Sequence, residues 1–193
     1  MGFLSVLSYA HQLVAARVQP GDTAIDATVG TGADTLFLAK AAGKRGHVYG
    51  FDIQQEALEL ARRRLEENTA SSVAEVSLLL QGHEQMSEAI PGKLHGKVAA
   101  VMFNLGYFPG EGADPSVITH TDSTLVALEA ALQLLRPRGI LTAVLYPGHA
   151  GGNEEAEAVV QWAAALPVST GQSIIYRQLQ RMTSPYMVAV EKK

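Results

Sequence analysis

Ile25-Asp26-Ala27-Thr28-Val29-Gly30-Thr31-Gly32-Ala33-Asp34-Thr35 is the stretch on which the fold of this chain turns. It closes a run from Thr23 to Val29 that predicts a strand, and it opens a helix predicted from about Asp34 to Ala42. Gly30 and Gly32 let the backbone turn tightly and approach a ligand with no Cβ in between. The helix start adds free backbone N–H groups. The next predicted strand, His47 to Ile53, carries Asp52 about 20 residues beyond Gly30, where a carboxylate can accept both hydroxyls of a ribose.

Outward from this unit, short β-branched runs keep alternating with helical patterns. Helices are predicted over Gln54–Asn68, Glu84–Ile90, Thr121–Leu135 and Asn153–Leu166. Strands are predicted over Val76–Leu80, Lys97–Phe103, Ile140–Tyr146, Ser173–Leu179 and Tyr186–Val190. Alternation of this kind implies a parallel sheet with helices on both faces. The last two strands are too close for a parallel crossover and predict a hairpin. The expected architecture is α/β: a doubly wound, seven-stranded, mainly parallel sheet with an antiparallel C-terminal strand. One domain is expected over residues 1–193. Residues 1–18 supply an amphipathic helix packed on it through Leu4, Leu7, Leu13, Val14 and Val18.

Composition narrows the function. The 193 residues are 47% hydrophobic and 18% charged, enough to build a large core. There is no cysteine, so disulfides and thiolate metal sites are excluded, and the six histidines show no ligand spacing. No apolar run approaches the roughly 20 residues needed to span a bilayer. A cytoplasmic protein is the expectation. Net charge is −4, so binding to nucleic acid needs a local basic patch. Arg177, Arg181, Lys192 and Lys193, against the single acid Glu191, form one candidate patch; Lys44 and Arg45 form a smaller one.

The glycine loop admits two cofactor classes, and a tight turn without a ligand would also use two glycines. A nicotinamide enzyme would carry a third glycine where Thr35 stands, and its first strand seldom contains an acid such as Asp26. S-adenosylmethionine has a ribose, no pyrophosphate and a charged amino-acid tail, and it fits better. Asp26 or Asp34 could face its ammonium group. The third strand ends Leu80-Gln81-Gly82-His83-Glu84, where His83 either meets the adenine or serves as a helix-capping or core residue. The fourth ends Asn104-Leu105-Gly106-Tyr107. Enzymes that methylate planar amino nitrogens often carry Asn/Asp-Pro-Pro-Tyr here, the polar side chain accepting from the amine and the aromatic stacking on the base. Asn104 and Tyr107 keep that spacing; Leu105 and Gly106 replace the prolines.

With these residues assembled, the chain resembles class I S-adenosylmethionine-dependent methyltransferases. More narrowly it is similar to a small bacterial rRNA methylase family. The likeness rests on Ala10-His11, Asp26-Ala27-Thr28-x-Gly30-x-Gly32-x-Asp34-Thr35, Gly50-Phe51-Asp52-Ile53-Gln54, Gly82-His83-Glu84 and Asn104-Leu105-Gly106-Tyr107-x-Pro109-Gly110. It continues in Thr119 to Thr124, Tyr146-x-Gly148-His149-x-Gly151-Gly152-x-Glu154-Glu155 and Ser184-Pro185. Thr31 stands where the family usually has Asn, and it still offers a hydroxyl. The resemblance implies methylation of the amine of 5-aminomethyl(-2-thio)uridine at the tRNA wobble position; the alternatives are a base amine in rRNA, another small-molecule or protein amine, or a non-catalytic S-adenosylmethionine-binding module. It implies cofactor contacts from Asp26, Thr28, Gly30, Thr31, Gly32, Asp34, Thr35, Asp52, Gln54, His83, Glu84 and Asn104. Asn104, Tyr107 and His149 become the candidate catalytic residues, with His120 a second possible proton acceptor. A homodimer could help shape the RNA surface.

Overall fold

In a computed structural model, the described residues are 2–68, 73–106, 119–148, 151–181 and 183–193. The strands are β1 (Thr23–Asp26), β2 (His47–Asp52), β3 (Glu75–Leu80), β4 (Val98–Leu105), β5 (Leu135–Leu145), β6 (Gly171–Tyr176) and β7 (Tyr186–Lys192). The helices are α1 (Val6–Ala15), α2 (Ala33–Ala42), α3 (Gln55–Glu67), the single turn α4 (Met86–Ala89), α5 (Thr121–Leu134) and α6 (Gly152–Ala165). All seven strands form one sheet in the order β3-β2-β1-β4-β5-β7-β6. The first five run parallel, and β7 runs antiparallel to both of its neighbours, β5 and β6.

The strands read as near-continuous apolar runs because both faces are covered. Ala100 and Met102 of β4 join a core with Ala10 and Val14 of α1 and Leu38, Ala39 and Ala42 of α2. Val101 and Phe103 point the other way, into a core with Met86, Leu128 of α5 and Val159 of α6. By the same alternation Asn104, which follows Phe103, shares its side with Met102, facing α1 and α2. The class I fold expected from the sequence is the fold observed.

Several local expectations change. The β1 strand stops at Asp26, because Ala27 to Thr31 already turn toward the helix. The β4 strand runs on to Leu105, so Asn104 is a strand residue held by the sheet rather than a loop residue. The β5 strand begins at Leu135, not Ile140. Pro137 and Gly139 do end α5, but the chain stays extended, pairs Leu135 with Val98 and absorbs the mismatch in a register shift and a left-handed Arg138 (φ 65°). Arg136 anchors this turn by donating to Asp22 at 2.7 and 2.9 Å and to the Arg17 carbonyl at 2.9 Å.

The N-terminal helix also packs differently from its apolar stripe. Ser5 caps it, its hydroxyl accepting from the Ser8 N–H at 3.1 Å. Ala10, Val14 and Val18 are buried, whereas Leu4 and Leu7 are nearly half exposed. Small Ala10 lets the helix lie close on the sheet at β5 and β7, and that leaves Leu7 free to reach the carboxyl ends of the strands. Among the described residues no helix is long and apolar enough to cross a membrane.

Candidate active site

The carboxyl ends of β1, β2, β3 and β4 surround one cavity of about 580 Å³. That is within the usual range for a small-molecule site, and its position follows the rule for open α/β sheets. Thr28, Gly30, Thr31 and Asp34 line it from the glycine loop and α2. Asp52, Ile53 and Gln54 line it from β2, His83 and Glu84 from the β3 end, and Asn104 and Gly106 from β4.

The glycine loop is held by its own acids. Gly30 adopts φ 48° and donates its N–H to Asp52 Oδ2 at 2.8 Å. The Gln54 N–H donates to Asp52 Oδ1 at 2.9 Å. One carboxylate therefore joins the β1 and β2 loops and faces the cavity between them. Burial raises the Asp52 carboxyl above its ordinary value, and the N–H groups of Gln54, Gly30 and Ile53 pull it back. Gly32, at φ 73°, has a different job. A Cβ there would lie 2.7 Å from Cα of Ala61, so this glycine lets α3 pack against the loop.

Asp26 does not reach the cavity. It is fully buried behind the loop, where Oδ2 accepts from the Thr35 hydroxyl at 2.6 Å and Oδ1 from the Thr28 N–H at 3.2 Å. Burial and the Asp34 charge push its carboxyl up to about 7. Gly32 and Thr35 likewise lie behind the wall. The structure thus turns three of the expected cofactor contacts into the frame of the loop. Of the two acids that could face an ammonium group, only Asp34 lines the cavity.

Asp34 lies in the first turn of α2 and is nearly buried. Its Oδ2 accepts from the Asn104 side-chain amide, and its Oδ1 is 2.6 Å from His11 Nε2. The Asn104 backbone N–H donates to the Thr28 hydroxyl at 2.6 Å. Tyr146, at the end of β5, points its hydroxyl at Asn104 Oδ1 at 3.4 Å. His83 is buried at 8% exposure and meets Phe103 edge-on at 5.8 Å. Burial pulls its imidazole below the ordinary value, while Glu84, a bond to the Ala27 carbonyl, Glu155 and Asp52 oppose the shift.

Thr119, His120 and Ser123 close the far wall. Glu155 of α6 holds that wall from behind, accepting from Thr119 Oγ1 at 2.6 Å and Thr124 Oγ1 at 2.7 Å while itself 3% exposed. Tyr107 and His149 lie outside the described residues. Leu7, His11, Tyr146 and Glu155 join the site without having been singled out as site residues in the sequence. The sequence shows Leu7 in an apolar stripe and the other three in motifs, but only the packing of α1, α6 and the end of β5 brings them here.

S-adenosylmethionine fits these residues. Two carboxylates reach one cavity from different elements, Asp52 suited to ribose hydroxyls and Asp34 to an ammonium group. Apolar Ile53, 58% exposed beside Asp52, offers a flat contact for a base.

Residues 48–192 match the family model described as "Putative rRNA methylase". A protein of Arabidopsis thaliana described as "tRNA (mnm(5)s(2)U34)-methyltransferase, chloroplastic" is 40% identical over 190 residues, which is 95% of this chain and 68% of that protein. This chain belongs to the rRNA methylase family. A family structure from Clostridium thermocellum, described as a "putative rRNA-methylase", superposes with a TM-score of 0.90 at 34% identity, covering all of both chains. SMU.1697c of Streptococcus mutans, described as a "putative methyltransferase" in complex with SAH, superposes with a TM-score of 0.85 at 30% identity, again over all of both chains. This rRNA methylase family member is an S-adenosylmethionine-dependent methyltransferase.

Proposed function

We propose that this methyltransferase acts on RNA, methylating the amine of 5-aminomethyl(-2-thio)uridine at the tRNA wobble position to the 5-methylaminomethyl form. The observation that carries the reading is an Asn104 amide held in the cofactor cavity of a chain 40% identical to a relative named for that reaction. Bound S-adenosylmethionine supplies an electrophilic methyl group. The chain's residues hold and aim the partners. Asp52 takes the ribose hydroxyls, and Gln54, Ile53, His83 and Glu84 surround the adenine. Thr28, Gly30 and Thr31 follow the amino-acid tail toward Asp34. Asp26, Gly32 and Thr35 keep the loop in shape.

An alkylamine attacks through its lone pair and must arrive neutral. Asn104 Oδ1 accepts one of its N–H groups and aims the lone pair at the methyl. Tyr107 follows at the spacing of a base-stacking aromatic. His149 takes the proton lost from the methylated amine, with His120 of the cavity wall as the alternative. RNA backbone contacts come from the β6–β7 hairpin, where Arg177 and Arg181 sit on the same end of the sheet as the cavity. Arg177 lies 4.7 Å over the Tyr186 ring.

A tritium-transfer assay from labelled S-adenosylmethionine to total tRNA and rRNA of a strain lacking this gene tests the reading. Nucleoside mass spectrometry identifies the product. Label recovered as 5-methylaminomethyluridine or its thio form is the expected result. Label confined to rRNA would overturn the tRNA assignment and leave the second reading, a base amine in rRNA, which the family's description favours.

A further inference from the structure

We propose that His11, acting through Asp34, is a positioning residue that fixes the Asn104 amide with its oxygen toward the cavity. The inference deepens the reading above, since it rests on Asn104 Oδ1 as the acceptor for the substrate amine.

An asparagine side chain can present either its oxygen or its NH2 group, and the two are close in shape. In this site the choice is made by chemistry. An ionised carboxylate only accepts, so the Asn104 group that faces Asp34 Oδ2 must be the NH2. Oδ1 is then left on the side of Tyr146, whose hydroxyl donates at 3.4 Å, and a second lone pair remains for an incoming N–H. The same logic runs one step further back. His11 Nε2, 2.6 Å from Asp34 Oδ1, must carry its hydrogen toward that oxygen. With both oxygens engaged, Asp34 cannot rotate away from Asn104.

His11 is itself held in place. Its ring stacks on Phe37 with centroids 3.9 Å apart and planes 3° from parallel. Phe37 is one turn along α2 from Asp34, so a single helix turn supplies both the shelf and the acceptor. On α1, Leu7, Ala10, His11 and Val14 form one stripe; Ala10 and Val14 are buried on the sheet, and Leu7 lines the cavity. The sheet contacts therefore set where His11 lies. Four elements, α1, α2, β4 and the end of β5, converge on one amide. A surface histidine with no such duty would not need a stacking partner and a nearly buried acid at once.

Two substitutions separate the hydrogen bond from the packing. His11→Phe keeps a ring on Phe37 and removes the donor. His11→Gln keeps an N–H near the position of Nε2 and removes the ring. Methyl transfer is measured with the RNA acceptor that the wild-type enzyme uses, and SAH affinity by calorimetry. We expect His11→Phe to lower kcat about tenfold or more, His11→Gln to return to within about threefold of wild type, and both to keep SAH affinity within about threefold. If the two variants fall alike, or if SAH affinity falls as far as kcat, the inference is overturned.

A second readout needs no substrate. In 15N-labelled protein, the Asn104 side-chain NH2 signals, assigned by their loss in Asn104→Ser, should shift in His11→Phe and return in His11→Gln. An unchanged pair in His11→Phe overturns the inference. Absence of transfer to tRNA by the wild-type enzyme would instead fall on the proposed substrate, leaving the spectroscopic result to decide His11.

Discussion

Asp26 is a carboxyl sealed behind the glycine loop, raised from 3.8 to about 7 by burial and by the Asp34 charge. Below 3.8 both folded and unfolded chains hold the proton. Between 3.8 and about 7 the unfolded chain releases it and the folded chain does not, so this residue's contribution falls as pH rises through that window. Asp26→Asn removes the titration. Its stability relative to wild type should therefore climb between pH 4 and 7, by up to about 1.4 kcal/mol per pH unit, in paired thermal melts. At Gly32 a methyl group would meet Ala61 and force a left-handed Ala, so Gly32→Ala should cost about 2–4 kcal/mol in urea unfolding. Asn104→Ala should lower kcat by about a hundredfold with SAH affinity changed less than about threefold; equal losses would remove Asn104 from its assigned role. The place of Asp52 at the end of the second strand is legible in the sequence from its spacing to Gly30, whereas its bond to the Gly30 N–H is visible only in the fold. The sequence leaves Asp26 and Asp34 as alternatives for an ammonium group because composition cannot tell the lining of a loop from its backing. Strand parity and the Thr35 hydroxyl decide it.

At the level of elements, buried Glu155 joins α6 to the start of α5 through the hydroxyls of Thr119 and Thr124. Glu155→Ala leaves two hydroxyls without their acceptor and should cost about 2–4 kcal/mol in chemical denaturation, while Glu155→Gln, which keeps one acceptor, should cost clearly less. The sequence shows Glu154-Glu155 as a motif, and its role needed the helix pairing. The same holds for α1. Its apolar stripe was visible, but Leu4 and Leu7 were read as core residues. Burial falls instead on Ala10 and Val14, because a small residue lets a helix sit low on a sheet. That single difference turns α1 from a covering element into one that carries Leu7 to the cavity and His11 to Asp34.

Across the whole molecule, the basic residues of the two candidate patches divide between the two ends of the sheet. Lys44 and Arg45 lie in the turn before β2, at the amino ends of the strands and away from the cavity. Lys192 and Lys193 follow the register of β7 to that same end, and Lys192 donates to the Leu132 and Leu135 carbonyls at 2.6 Å, closing the end of α5. Of the two candidate patches, Arg177 and Arg181 lie on the cavity side. The charge patch read from the sequence was contiguous in the chain and is split in space by a hairpin. A tRNA docking on the active side predicts a clear contrast. Arg177→Gln with Arg181→Gln should weaken binding and reduce the slope of log affinity against log salt by about 1–2. Lys44→Gln with Arg45→Gln should leave both unchanged in filter-binding titrations.

The Thr119 N–H donates to the Gly106 carbonyl at 3.1 Å, so the far wall of the cavity is tied to the end of β4 as well as to Glu155 of α6. A wall held from two sides works as a strut. Loosening α6 should therefore be felt at Thr119 and His120, while the cofactor half of the cavity is set by other loops.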